Sequence, residues 1–335
     1  MLDGLLVIDK PSGPSSHDVV ARMRRVLGER RIGHTGTLDP LATGVLPLVI
    51  GRATRLARFM NAAGKAYEAV IRLGISTDTA DAEGTPIGSP FSGALPSRDE
   101  INRALDAFRG TSLQQPPAFS AKKIEGQRSY RIARRTRQLL STGGAPPPPV
   151  PAFPDPAPPA AAWLQPPPVA DSKSPAMVSV TVYRLELVRV EDARVTLAVD
   201  CSAGFYVRSL AHDLGQALGT GAHLAGLRRT RSGDITLAAS ISLAEAEADR
   251  ENARAAVMPL ANMLPELHAV VLTPDGVRHA VQGRELGPGD LLADVGLGIW
   301  DVGCHVRMLD PAGALVGVAE PSKSPGLLHP SVVLM

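Results

Sequence analysis

A proline-rich stretch at about 141–176 limits what this chain can fold into more than any other feature. Thirteen of its 30 prolines lie between Pro146 and Pro175, in runs such as APPPPVP. Proline has no amide proton, so these runs form neither helix nor sheet ladder and favour extended polyproline conformations. We therefore predict a disordered or semi-rigid surface insertion. Its simplest role is a spacer, and a binding site for a proline-recognising partner is the alternative.

Before this insertion, the hydrophobic pattern alternates between strands and helices. Residues 5–8 and 45–50 are short apolar runs, which are typical of buried strands, and residues 65–74 (KAYEAVIRLG) alternate in polarity as a half-buried strand does. Residues 16–27 and 97–110 have apolar side chains at helical spacing, with serines before them and glycines at their ends.

Strand patterns resume beyond the insertion, so the insertion interrupts a domain and does not separate two. Residues 177–190 and 193–200 read as paired strands, and residues 209–219 read as a helix. From about residue 265, short apolar runs alternate with Gly, Pro and Asp turns, as in a small β-rich module. The chain is thus expected to have a main domain over 1–260, with mixed strands and helices, and a β-module over 265–335.

Charge is informative locally and not globally, because the formal net charge of the chain is only +2. Residues 22–31 carry five basic side chains against Glu29, and residues 122–137 carry seven against Glu125. A solvated helix face explains any one such cluster. Two clusters on one cleft would instead attract the phosphates of a nucleic acid.

The remaining composition narrows the class of protein. The two cysteines, Cys201 and Cys304, are far apart and give neither metal-ligand spacing nor a disulfide framework. No apolar run approaches the roughly 20 residues of a membrane helix, and the first ten residues do not have the pattern of a signal peptide. We expect a soluble, cytoplasmic protein that does not associate with membranes.

One carboxylate stands alone on a loop. The stretch from Arg31 to Gly51, RIGHTGTLDPLATGVLPLVIG, places Asp39 among glycines and threonines directly before the apolar run 45–50. A turn aspartate that hydrogen-bonds its own backbone would account for it. A catalytic carboxylate held in a cleft is the other interpretation.

Five motifs carry a resemblance to a known family. They are GLLVIDKPSGPSSHDVV, GHTGTLDPLATGVLPL, KAYEAVIRLG, PPAFSAKKIEGQRSY and GFYVRSLAHDLGQALGTGAHLAGLRRTRSG, in this order along the chain. Over residues 4–135 and 177–235 the chain resembles TruB-type tRNA pseudouridine synthases. The resemblance implies an α+β fold with a mixed, mostly antiparallel sheet, an RNA-binding thumb at about 111–140, and a C-terminal PUA-type RNA-binding module.

The resemblance also implies a reaction. Such enzymes flip the uridine at position 55 of the tRNA T loop, cleave its bond from C1′ to N1, rotate the base and join C1′ to C5, with an aspartate as nucleophile and without metal or cofactor. The partner would be the T-arm stem-loop, and a monomer without protein partners is the simplest expectation. A guide-RNA-dependent rRNA pseudouridine synthase and a non-catalytic tRNA-binding or tRNA-folding protein are the alternatives.

Three residues match the catalytic positions of the family. Asp39 matches its acid, although the sequence does not show whether the carboxylate attacks the sugar, attacks C6 or assists elimination of the base. Burial alone would raise the pKa of this acid, so an opposing cation is expected, and Arg208 matches it. Tyr67 matches an aromatic residue on which the flipped base stacks. An exposed arginine and a core aromatic are the ordinary alternatives for these two residues.

Other positions match the family's substrate contacts. Tyr206 and Leu227 would be pocket walls, although Leu227 could be core. His34 would fill the space left by the flipped base, or be structural. Asp81 would hold the arginine network, or be a turn aspartate, and Lys10 would lie near the RNA cleft, or at the surface. Four basic residues of the thumb would contact RNA: Lys122, Lys123, Arg134 and Arg135.

Overall fold

The structure is a computed structural model of the chain, and it describes residues 2–117, 123–124, 127–128, 176–292 and 305–335. Most of the predicted insertion at 141–176 lies outside these ranges, as do Lys122, Arg134 and Arg135. Lys123 is described only by its backbone, in a short hairpin. What the sequence predicts for these residues stays a prediction.

Strands and short helices alternate through the described ranges. The strands are β1 (Gly4–Lys10), β2 (Ile32–His34), β3 (Thr43–Ile50), β4 (Lys65–Leu73), β5 (Ser76–Thr77), β6 (Pro86–Ile87), β7 (Gly110–Gln114), β8 (Lys123–Ile124), β9 (Gln127–Arg128), β10 (Val178–Glu191), β11 (Arg194–Cys201), β12 (Ala222–Ser232), β13 (Ile235–Thr236), β14 (Ile241–Ser242), β15 (His268–Val271), β16 (Val306–Leu309), β17 (Leu315–Pro321) and β18 (Leu328–Val333). The helices are α1 (Ser16–Leu27), α2 (Ala57–Ala62), α3 (Arg98–Leu105), α4 (Val207–Ala217), α5 (Leu243–Ala248), α6 (Arg250–Ala255) and α7 (Pro274–Val281). None of these helices is long and apolar enough to cross a bilayer.

The chain divides into two compact units, of which the first comprises residues 1–40, 44–62 and 234–335. In its N-terminal part, β1 pairs antiparallel with β3 over its whole length and parallel with β14, and β2 adds to β3. The predicted strands at 5–8 and 45–50 are therefore confirmed, and the structure shows that they are neighbours. Both are almost completely buried, which explains why they read as continuous apolar runs.

Helix α1 begins and ends as its sequence predicts. Ser15 is the N-cap, and a capping box joins its side chain and backbone to Asp18. Gly28 ends the helix in the left-handed conformation, with φ of 68°. This conformation costs glycine little and other residues more. The helix buries Val19, Val20, Met23 and Leu27 on one face.

The C-terminal part of the first unit is a four-stranded sheet in the order β15-β16-β17-β18. Helix α7 precedes β16 and was not predicted, although Thr273 caps it and Pro274 occupies its first turn. One hydrophobic cluster contains Leu5 of β1 together with Leu315 of β17 and Leu334, so this sheet packs on the N-terminal strands. The domain boundary at 260–265 stays a prediction.

Three arginines spaced three residues apart hold the end of the chain in the first unit. Arg52 donates to the carbonyl of Leu334 at 2.9 Å, and Arg55 donates to the carbonyl of Val333 at 2.6 Å. Arg58 donates to the hydroxyl of Ser331 at 2.9 Å. The first two bonds satisfy backbone carbonyls at the end of the edge strand β18 and directly after it, and the third binds a hydroxyl within that strand.

The second unit comprises residues 41–43 and 63–233. Its sheet has the order β12-β4-β11-β10-β7, and each neighbouring pair is antiparallel. Together with the parallel pairs in the first unit, this confirms the predicted α+β class with a mixed, mostly antiparallel sheet. Helices α3 and α4 cover one face of the sheet, where Leu210 and Leu214 of α4 join Ile71 and Leu197 in a buried cluster.

Gly51 follows β3 with φ of +60°, and a Cβ atom there would lie 2.2 Å from Oδ1 of Asp3 and 2.5 Å from the carbonyl of Leu2. The carboxylate of Asp3 forms an ion pair with Arg52, with 2.9 Å between Oδ2 and Nε, so it cannot easily move away from the added methyl group. We expect Gly51→Ala to lower the melting temperature clearly. Gly74→Ala is the control, because Gly74 has φ of +97° but open space around it and should show only backbone strain of about 1–2 kcal/mol. Equal losses in the two variants would contradict the predicted clash.

Candidate active site

The loop that carries Asp39 is fixed immediately before the carboxylate. The hydroxyl of buried Ser16, on α1, accepts a hydrogen bond from the amide of Leu38 at 2.8 Å and donates to its carbonyl at 3.0 Å. Further back, the amide of Gly36 donates to Oδ1 of Asn61 at 2.9 Å. Asp39 itself is half-buried, so its backbone is well defined while its side chain retains some exposure.

Lys10 fixes the loop immediately after the carboxylate. Its side chain is fully buried, and its ammonium group donates to the carbonyls of Pro11 at 2.9 Å and Pro40 at 3.1 Å. The carbonyl of Pro40 also accepts from the amide of Gly13 at 2.9 Å. A fully buried ammonium group bound to two carbonyls positions the loop, so the alternative of a surface lysine is wrong. The predicted place of Lys10 near the RNA cleft stays a prediction.

His34 lies at the start of the same loop. Its ring packs edge-on against the ring of His17 on α1, with centroids 5.3 Å apart and planes at 79°. His34 is half-buried and His17 is exposed. The ring therefore sits near the surface of the first unit, and its predicted role beside a flipped base stays a prediction.

Tyr67 lies on β4 in the second unit, where its half-buried ring packs against the core cluster. Directly opposite on β12 is Arg229, whose side chain hydrogen-bonds that of Tyr67. Arg229 is only 1% exposed. Burial lowers the pKa of this guanidinium, and the interaction with Tyr67 opposes that effect.

A second buried cation lies two residues before Tyr67, on the same face of β4. Burial, with a smaller contribution from the charge of Arg229, lowers the pKa of Lys65 to about 8. Its ammonium group donates to the carbonyl of Ala63. Beside it, burial raises the pKa of the Cys201 thiol to about 12, so this thiol is protonated at neutral pH.

Sequence reasoning missed Arg229 and Lys65. Arg229 lies in the basic run RRTRS, and such runs usually face solvent. The alternation of side chains along β12 could have revealed it. Arg229 lies two residues beyond Leu227, a predicted pocket residue, and residues two apart on a strand point to the same face. The bulges in β12 at Leu224/Gly226 and Arg229/Arg231 weaken that signal, because each shifts the register by one residue.

Arg208 lies at the start of α4 and forms a buried ion pair with Asp81. The nitrogen–oxygen distance is 3.6 Å, and the two side chains are 7% and 6% exposed. Arg208 also donates to the carbonyl of Thr79 at 3.3 Å. Oδ1 of Asp81 accepts from the hydroxyl of Thr79 at 2.6 Å and from the amide of Glu83 at 3.1 Å. Arg208 is therefore not an exposed surface arginine.

The turn that holds Asp81 is attached to β12 by its backbone. Leu224 donates to the carbonyl of Ala80 at 3.0 Å and accepts from the amide of Ala82 at 2.9 Å. Asp81 itself forms an isolated parallel bridge with Leu224. Asp81 therefore lies in a turn and also pairs with an arginine, so the two interpretations of this residue are compatible.

Tyr206 immediately precedes α4, and one amide side chain holds its backbone. Gln114 on β7 accepts from the amide of Tyr206 at 2.8 Å and donates to its carbonyl at 3.0 Å. Ser209 donates to the carbonyl of Gln115 at 2.8 Å. The start of α4, and with it Arg208, is therefore fastened to the end of β7.

Leu227 on β12 is half-buried and packs against the same core cluster as Tyr67. Its carbonyl accepts a hydrogen bond from the hydroxyl of Thr43 at 3.3 Å. Leu41 also packs on this cluster. Because residues 41–43 belong to the second unit, the chain enters that unit two residues after Asp39.

The structure thus groups the predicted site residues by unit. Lys10, His34 and Asp39 lie in the first unit, and Tyr67, Asp81, Tyr206, Arg208 and Leu227 lie in the second. Within the second unit, the ion pair joins Asp81 to Arg208, and one hydrophobic cluster joins Tyr67 to Leu227. The basic residues Lys122, Arg134 and Arg135 lie outside the described ranges.

Two family models match the chain. The TruB family pseudouridylate synthase N-terminal domain matches residues 24–142, and the tRNA pseudouridylate synthase B C-terminal domain matches residues 208–265. The first match contains Asp39, Tyr67 and Asp81, and the second begins at Arg208. The matched ranges therefore contain all three predicted catalytic residues.

Curated relatives are similar over most of the chain. The tRNA pseudouridine synthase B of Solibacter usitatus is 38% identical and covers 99% of this chain and 100% of its own. That of Gloeobacter violaceus is 42% identical and covers 86% and 88%. Among solved structures, a Cbf5-Nop10-Gar1 complex matches with a TM-score of 0.67 and 27% identity, covering 99% of this chain and 85% of the matched one.

Lys10→Met keeps the aliphatic stem and removes the ammonium group that binds the carbonyl of Pro40. Weakening this buried clamp should cost about 1–3 kcal/mol. We expect faster hydrogen exchange at the amides of residues 38–43, measured by mass spectrometry. Lys323→Met, at an exposed position, is the control. Unchanged exchange in Lys10→Met would show that the clamp does not order the loop.

Proposed function

This chain belongs to the TruB family of pseudouridine synthases, isomerases that convert uridine in tRNA to pseudouridine, and on that basis we propose that its substrate is the uridine at position 55 of the T loop. The reaction breaks the bond between C1′ and N1 and forms one between C1′ and C5. The proton lost from C5 is balanced by one gained at N1, so the product is an isomer.

The observation that carries this proposal is the placement of Asp39. Its loop is fixed on both sides, at Leu38 by Ser16 and at Pro40 by Lys10. Asp39 itself is half-buried, so its side chain keeps the exposure that contact with a substrate requires.

Asp39 acts as the nucleophile. A carboxylate can form a covalent intermediate with an electrophilic carbon without a metal. A rigid loop helps because the carboxylate needs little reorganisation to reach the flipped nucleotide. Lys10 contributes indirectly, since it holds the peptide that follows Asp39.

Arg208 supplies the positive charge that keeps Asp39 ionised when the base covers it. It is buried and already paired with Asp81. A guanidinium carries five N–H donors in a planar fork, so one arginine can bind two carboxylates. Asp81 orients Arg208 in this arrangement.

Tyr67 receives the flipped uracil. Its ring is packed on one side by the core and is half-exposed, which suits a stacking platform. Stacking a base on an aromatic ring contributes about 1–3 kcal/mol and offsets part of the cost of unstacking the base from the loop. Tyr206 and Leu227 form walls of the pocket.

The enzyme acts alone, as a monomer, on the folded T-arm. It recognises the shape and phosphates of the stem-loop and reads one splayed base. His34 fills the space that the base leaves, and the PUA-type module and the basic thumb residues extend the contact. Action on tRNA without a guide RNA is favoured over guide-dependent action, because the curated relatives are named tRNA pseudouridine synthases. Such a substrate places the enzyme in the cytoplasm.

Asp39→Asn should abolish isomerisation and leave tRNA binding within about tenfold of wild type, because the amide keeps the shape but is not a nucleophile. Carbodiimide treatment and primer extension map the pseudouridine, and filter binding measures the affinity. Asp234→Asn, at an exposed position, is the matched control. Normal turnover by Asp39→Asn would refute the assignment of the nucleophile.

Replacing Lys122, Lys123, Arg134 and Arg135 together by alanine should weaken tRNA binding and flatten its dependence on salt. Each lost phosphate contact lowers the slope of log K against log salt by about 0.7–0.9. Binding is measured from 50 to 300 mM KCl, and melting temperatures control for folding. An unchanged slope would remove these residues from the RNA surface.

A further inference from the structure

We propose that Arg229 is a positioning residue for this reaction, which holds the hydroxyl of Tyr67 and so fixes the position of the ring on which the flipped uracil stacks. The inference rests on the proposed function, because it concerns the same pocket. Family resemblance led to Tyr67 but not to Arg229, which the structure alone brings forward.

The register of the sheet places the two side chains together. Arg229 on β12 is the Cα partner of Tyr67 on β4, and residues directly opposite each other in an antiparallel pair share one face of the sheet. The side chains of Arg229 and Tyr67 are hydrogen-bonded. An arginine has only donors, so the phenolic oxygen accepts this bond.

The burial of Arg229 indicates a role besides packing. Its side chain is 1% exposed, and its charge contributes to lowering the pKa of the neighbouring Lys65, which is also a buried cation. Replacing buried charged groups with apolar ones of similar volume is often neutral or stabilising. Packing alone would therefore favour an apolar residue here, and the guanidinium is explained by the direction that it imposes on Tyr67.

A fixed phenol matters for catalysis more than for binding. The side chain of Tyr67 can turn about its Cα–Cβ bond, and a hydrogen bond from a buried arginine to the phenolic oxygen selects one position for the ring. Most of the tRNA lies outside the uridine pocket, so its affinity depends little on this ring. A misplacement of about 1 Å at the reacting base can cost about 100-fold in rate. The loss should thus appear in kcat and not in KM.

The test is a double-mutant cycle between Arg229 and Tyr67, with pseudouridine formation in unmodified tRNA as the readout. Arg229→Gln should lower kcat by about 10- to 100-fold and change KM less than about threefold. Arg229→Lys, which keeps a charged hydrogen-bond donor, should recover part of the rate. In a Tyr67→Phe background, Arg229→Gln should cause little further loss, since the hydroxyl through which it acts is gone.

Arg231→Gln is the matched control, because Arg231 lies on the same strand but pairs with Asp200 at 2.6 Å. We expect it to have nearly the wild-type rate. Melting temperatures accompany each variant. Additive losses in the cycle would overturn the proposal, and so would unfolding of both Arg229 variants, because the arginine would then serve stability. If wild-type enzyme leaves position 55 unmodified, the proposed function fails instead.

Discussion

Two hydrogen-bonded clamps on either side of Asp39 are the constraint on which the rest of this structure depends. Ser16 holds Leu38 through both backbone groups, and the buried ammonium group of Lys10 holds the carbonyl of Pro40. A glycine-rich loop would otherwise sample many conformations, at an entropic cost of about 1–2 kcal/mol for each residue that must be ordered. This cost is met during folding, so the backbone on either side of Asp39 is already ordered before any substrate binds.

In the second unit, buried charged side chains order the backbone and the neighbouring side chains. Arg208, Asp81, Arg229 and Lys65 are all nearly buried, which is unfavourable unless each has partners. Among their partners are Asp81 and the carbonyl of Thr79 for Arg208, and Tyr67 for Arg229. Under the proposed function, these polar groups, which are costly to bury, orient the residues that meet the substrate.

Local patterns predicted much of the fold and less of the site. Some features depend only on residues that are close in sequence, and the structure confirms them: the caps of α1, the alternation in β4 and the apolar run in β3. The burial of Lys10 and Arg229 is not local, because it depends on which strand lies opposite and on the bulges that shift its register. The loop sequence alone drew attention to Asp39, but only the resemblance favoured a catalytic carboxylate over a turn aspartate. Tyr67 was assigned a role only through resemblance, since a lone tyrosine carries no pattern of its own.

The central claim is that Asp39, on its clamped loop, reacts with a uridine stacked on Tyr67. The most direct measurement is a structure of the enzyme bound to a T-arm stem-loop whose target uridine carries fluorine at C5, since the missing proton should halt the final step. The account predicts a carboxylate oxygen of Asp39 bonded to, or within about 3.5 Å of, C1′ or C6 of the flipped nucleotide, with the base against the Tyr67 ring. A nucleotide that remains stacked in the RNA loop, or that is flipped to a place beyond the reach of Asp39, would contradict it.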